Sequence, residues 1–141
     1  MELSFRKKKY QSIDSCIILR VLVGDIPEQR QSVRSLLLNG SNYYVDEVAI
    51  MECVHVLTKL HATRAKIASD LQLFLSNPMI VYDESLFEPV FSHYVKHPSL
   101  SFDDCVLDAK IKQKGHAPLW TFDKKFANQS STARHLAKES A

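Results

Sequence analysis

Short apolar runs bounded by turn residues alternate along this chain with stretches of helical periodicity, and the connections between them are brief. No other feature constrains the fold as strongly. Strands joined through helices pair in parallel, and a parallel sheet has to be covered on both faces. Strands are expected at residues 9–13, 43–45, 79–82 and 119–122, where apolar, β-branched and aromatic residues cluster. Asp14-Ser15 offers a cap for the apolar segment 16–23, which Gly24 closes, and Pro27 opens a helix that Gly40 stops. From Asp46 onward Val48, Met51, Val54, Val56, Leu57 and Leu60 recur at helical spacing, and Thr63 caps a helix whose stripe is Ile67, Leu71, Phe74 and Leu75. Further helices are expected over 84–96 and over 102–114, the last capped by Ser101 and ended by Gly115. The expectation is a single α/β domain over residues 1–141, with its core at about 9–126 and a C-terminal tail at 127–141. Its mostly parallel central sheet has four to five strands flanked by helices.

Composition agrees with a folded core: 45% of the 141 residues are hydrophobic and 24% charged, which excludes disordered and collagen-like chains. The net charge of +2 is too small to suggest passive coating of nucleic acid, so any polyanion must meet local patches. Two such patches exist, Arg6-Lys7-Lys8-Lys9 and Lys124-Lys125, and the second is better placed for phosphate. Cys16, Cys53 and Cys105 are odd in number and sit among apolar residues, which suits buried thiols in a reducing, cytoplasmic setting. The longest apolar stretch, 16–23, is too short for a bilayer and contains Arg20. His93 and His97 have the spacing of helical zinc ligands without the accompanying glutamate, so a solvated helix face is the better account. Tyr43, Tyr44, Phe74, Phe87, Phe91 and Tyr94 follow helix or strand spacing and suit core or dimer packing.

Acidic residues carry the functional signal. Asp14 and Asp123 stand where strands end, and functional groups of a parallel sheet gather at its carboxyl edge. Glu52 lies within Val48-Ala49-Ile50-Met51-Glu52-Cys53-Val54 and is expected to be drawn inward, where a charge needs a partner; otherwise it shares a thin polar stripe with His55 and Lys59. Asp103 and Asp104 open a helix, where acids are favoured by the dipole whatever else they do. Asp108 can pair with Lys112 and face solvent. Three or four carboxylates brought together would repel by several kcal/mol at interior dielectric unless a divalent cation neutralised them. Hard oxygen ligands imply Mg2+ or Mn2+, and such a centre suits phosphodiester hydrolysis.

Ile13-Asp14-Ser15, Val48 to Val54, Phe102-Asp103-Asp104 and Leu119-Trp120-Thr121-Phe122-Asp123-Lys124-Lys125-Phe126 together resemble the PIN-domain ribonucleases. The style is nearest that of VapC-like toxins of toxin-antitoxin pairs. The resemblance implies a Mg2+- or Mn2+-dependent endoribonuclease acting on single-stranded RNA, with Asp14, Glu52, Asp104 and Asp123 as metal-binding and catalytic acids. Asp104 is preferred to Asp103 because the family pattern runs Phe-x-Asp. Thr121 and Ser15 are implied as hydroxyls that orient carboxylates, and Lys124 and Lys125 as RNA contacts. The implied partners are an RNA substrate and a protein antitoxin, and the apolar helices after Glu52 suit a homodimer. The chain departs from the family in having Cys16 where asparagine is usual, which removes an amide donor near Asp14. Two other functions are open at this point: a catalytically silent RNA- or protein-binding module, and a phosphoacceptor domain using Asp14, Asp83 and Thr121.

Overall fold

The structure is a computed structural model, which describes residues 10–24, 26–60 and 62–138. The basic run at residues 6–9 and the end of the tail at 139–141 lie outside the described residues. The elements run β1 (Gln11–Ser12), α1 (Ser15–Val23), α2 (Pro27–Leu37), β2 (Tyr43–Tyr44), α3 (Glu47–Lys59), α4 (Arg64–Leu75), β3 (Ile80–Val81), α5 (Glu84–Lys96), α6 (Phe102–Lys114), β4 (Leu119–Thr121), α7 (Lys124–Gln129) and β5 (Ala133–His135). The fold is α/β, and every strand pairing is parallel. The five strands among the described residues form two small sheets, β1-β2-β3 and β4-β5.

The chain divides into two compact units. One comprises the described residues up to Leu57 together with Ser69–Tyr82; the other comprises Thr58–Ala68 and the described residues from Asp83 onward. In the first unit Gln11 is in register with Tyr43 and Tyr43 with Ile80. The pairing runs on past the strand ends, since the Ile13 N–H donates to the Tyr44 carbonyl and the Val45 N–H to the Val81 carbonyl. Aspartates follow directly: Asp14 caps α1, and Asp46 accepts the Val48 N–H at the start of α3. Gly24 ends α1 in the left-handed region at φ 67°, which only a residue without a Cβ adopts freely.

In the second unit, α5 and α6 meet through an aromatic cluster. Phe102 stacks on Phe87 at 6.2 Å and receives the edge of Tyr94 at 5.1 Å, while Phe91 lies 5.5 Å away. All four belong to the core, Phe87, Phe91 and Tyr94 as their spacing implied. Pro89 sits inside α5 and has no N–H for the Ser85 carbonyl one turn earlier. The Gln113 side-chain amide from α6 donates to that carbonyl instead, at 3.0 Å.

The stretch read as a C-terminal tail is structured up to Lys138: it completes α7 and supplies β5, which pairs with β4 from Leu119↔Ala133 to Thr121↔His135. Nothing local marks β5 as a strand. Its partner lies fourteen residues earlier in sequence, and the turn before it is held by Asp108 of α6.

Candidate functional site

Asp14 leaves β1 with extended backbone (φ −86°, ψ 165°), and its carboxylate turns onto the first turn of α1. Its Oδ1 accepts the Ser15 N–H at 2.7 Å and the Ser15 hydroxyl at 3.3 Å, and its Oδ2 accepts the Cys16 thiol at 3.7 Å. Ser15 thus donates both its N–H and its hydroxyl to the acid. Cys16 supplies a weak donor where the family has an amide. All three donors are neutral, so they orient the carboxylate without cancelling its charge.

Glu52 is exposed, which corrects the expectation that its apolar neighbours draw it inward. The buried face of α3 is Ala49, Ile50, Cys53, Val54 and Leu57, whereas Val48, Glu52, His55 and Lys59 lie on the outer side. A helix apolar nearly all round can turn either side to the core, and packing selected the side carrying Cys53. The Cys53 thiol in turn donates to the Ser15 carbonyl at 3.8 Å, tying α3 to the start of α1. Burial, then the negative charges of Glu52 and Asp14, then Cys16, push the Cys53 thiol up to about 12. Asp14 and Glu52 therefore act on a common point. At neutral pH that point holds a protonated thiol, so Cys53 is no thiolate ligand.

In the second unit, Asp104 is half-buried in the first turn of α6, where its N–H donates to the Ser101 hydroxyl. Asp123 is exposed and caps α7, its Oδ1 accepting the Phe126 N–H at 3.1 Å. The Thr121 hydroxyl accepts the Asp123 N–H at 3.0 Å; it therefore positions the backbone of that acid, not its carboxylate. Lys124 and Lys125 are exposed. Among the described residues, no three His, Cys, Asp or Glu side chains are grouped so as to hold a metal ion. The donor chemistry at Asp14, carboxylate oxygens steadied by neutral groups, does fit a hard dication.

The remaining residues singled out in the sequence are otherwise engaged. Burial first, opposed by Arg64 and reinforced by Asp104 and Asp108, leaves the Cys105 thiol raised to about 11, and all three cysteines are free. The His93 Nε2–H donates to the Gln129 carbonyl at 3.0 Å, and its ring lies 4.3 Å from that of His97. Asp83 accepts the Leu86 N–H and the Ser85 hydroxyl, which accounts for it as the cap of α5 without a phosphoacceptor role.

Sequence reasoning misjudged Asp108. It is 3% exposed, against the expectation of a solvated partner for Lys112. Its carboxylate accepts the N–H and hydroxyl of both Ser131 and Thr132. Burial works to raise its pKa, but these hydrogen bonds outweigh it and hold the carboxyl below its ordinary value. The available signal was the run Ser130-Ser131-Thr132, several donors in a row with no nearby acid.

Among the described residues no helix is long and apolar enough to cross a membrane. A search of curated proteins finds no match to the chain. A family model described as PIN domain matches residues 12–130, a span that runs through both units and includes every acid considered above. With a match over that much of its length, the chain belongs to the PIN domain family, whose members generally have a nuclease-type fold and use divalent metals.

Proposed function

We propose that the chain is a metal-dependent endoribonuclease that hydrolyses phosphodiesters in single-stranded RNA, working as one PIN domain through residues 12–130. The observation that carries this reading is the PIN-domain match over residues 12–130, joined by an Asp14 carboxylate whose hydrogen-bond donors among the described residues are neutral. Asp14, Glu52, Asp104 and Asp123 supply the carboxylates, in keeping with the family resemblance. Mg2+ or Mn2+, when bound, supplies Lewis acidity toward water and phosphate. Ser15 and Cys16 keep Asp14 from swinging away, Thr121 fixes the backbone that presents Asp123, and Lys124 and Lys125 attract the phosphates.

The biological reading is the toxin of a toxin-antitoxin pair, acting in the cytoplasm and blocked by a protein antitoxin. Three free thiols support a reducing compartment, and exposed apolar side chains such as Val48 and Leu73 supply material for a homodimer. The second reading is a module that binds RNA without cutting it, favoured by the weak thiol donor in place of an amide on Asp14.

Labelled single-stranded RNA incubated with Mg2+, Mn2+ or chelator distinguishes the two. Cleavage that needs metal and falls to background in both Asp14→Ala and Glu52→Gln supports the nuclease. Cleavage unchanged by either substitution removes the site assignment, and tight binding with no cleavage selects the module.

A further inference from the structure

Trp120 and Phe122 are large aromatic side chains that the fold leaves in solvent, at 54% and 60% exposure. Trp120 belongs to β4 and Phe122 follows it by two positions, about 7 Å along an extended chain. Opposite Trp120 in the parallel register stands Arg134 of β5, whose guanidinium lies 5.7 Å from the indole ring centre. Lys124 and Lys125 follow immediately, both exposed. Residues 116–138 contain Lys124, Lys125, Arg134 and Lys138 as cations and Asp123 as the one acid, so this segment is far more basic than the chain as a whole.

Two features of this segment need one explanation. Exposed tryptophan and phenylalanine side chains are costly to leave in water, and a guanidinium against Trp120 with exposed lysines directly following in sequence disfavours a purely apolar partner. A ligand with flat π-faces at intervals and negative charge between them satisfies both at once. Single-stranded nucleic acid has that chemistry, since bases stack on aromatic rings while backbone phosphates meet lysine and arginine.

We propose that Trp120 and Phe122 form a base-stacking platform for single-stranded RNA, with Arg134 beside Trp120 and Lys124 and Lys125 contacting the phosphates. Asp123 directly follows Phe122, so a strand seated on the platform runs to one of the proposed catalytic acids. The inference rests on the nuclease reading only for that destination. Binding itself is independent of cleavage.

Trp120 is the only tryptophan of the chain, so its emission reports on the platform directly. The full chain, held in chelator so that no cleavage occurs, is titrated with an oligoadenylate of about ten nucleotides. Quenching of the tryptophan emission is expected. By anisotropy of the labelled oligomer, Trp120→Leu and Phe122→Leu should each bind roughly tenfold more weakly, and Trp120→Phe should recover most of the loss. Far-UV circular dichroism confirms that each variant is folded. Unquenched emission, or unchanged affinity in folded Trp120→Leu and Phe122→Leu, overturns the platform. So does a result in which these variants only convert an oligomer to monomer in sedimentation, which would make the face a protein interface. Binding without metal-dependent cleavage removes the nuclease reading and leaves the platform standing; cleavage with no quenching does the reverse.

Discussion

The thiol of Cys53 in α3 donates to the carbonyl oxygen of Ser15, 38 residues earlier at the start of α1. Burial first, and then the negative charges of Glu52 and Asp14, keep the Cys53 proton on sulfur. It follows that the three cysteines differ in reactivity. With a thiol reagent at pH 8, exposed Cys16 should react promptly, whereas Cys53 and Cys105, raised to about 12 and about 11, should react only on unfolding. Counting modified thiols against time in native and denatured protein checks this. Two fast thiols in the native chain would contradict the packing.

Cys16 sits where a stronger donor is usual, and its thiol reaches Asp14 Oδ2 at 3.7 Å. Cys16→Ala should lower cleavage by less than about tenfold, because only a weak donor is lost. Cys16→Asn should match or exceed the parent. Initial cleavage rates at saturating metal make the comparison, and an inactive Cys16→Asn would show that the thiol does something an amide cannot.

Asp108 secures the turn before β5 through Ser131 and Thr132. Asp108→Ala leaves buried N–H groups without acceptors and should cost roughly 3 kcal/mol in urea unfolding. Because hydrogen bonding holds the folded carboxyl below its ordinary value, the carboxylate's contribution is fully present above pH about 4 and is lost as pH falls through the folded value. The difference in stability between the parent and Asp108→Asn, present at neutral pH, should therefore close in acid. Parallel curves would exclude the linkage.

The Ser85 carbonyl, deprived of a backbone donor by Pro89, accepts from Gln113. Gln113→Ala should destabilise the chain by about 1 kcal/mol. In a Pro89→Ala background the cost should shrink, since residue 89 then has an N–H of its own. A double-mutant cycle in denaturant measures the coupling; a cost independent of residue 89 would show that the amide acts elsewhere.

Features written in neighbouring residues are legible without the fold. The bounds of α5 and α6 agree with those expected, because Ser101 caps α6, Gly115 ends it and the apolar spacing of α5 is strong. Asp14 and Asp123 at strand ends were legible for the same reason, since each acid caps the helix that follows it within three residues. The first four strands were placed correctly but expected to be longer; the paired length of a strand depends on its neighbours, which local pattern does not contain.

Packing between distant segments settles the rest. It turned Glu52 outward and Cys53 inward, because apolar residues run nearly all round α3 and the local pattern leaves the buried side open. It buried Asp108, because the donors that compensate its charge come from residues 23 and 24 positions later. It made a strand of residues 133–135, and it left Trp120 and Phe122 in solvent despite their apolar character. In each case the energy comes from groups distant in sequence, and the chain must be folded before they meet.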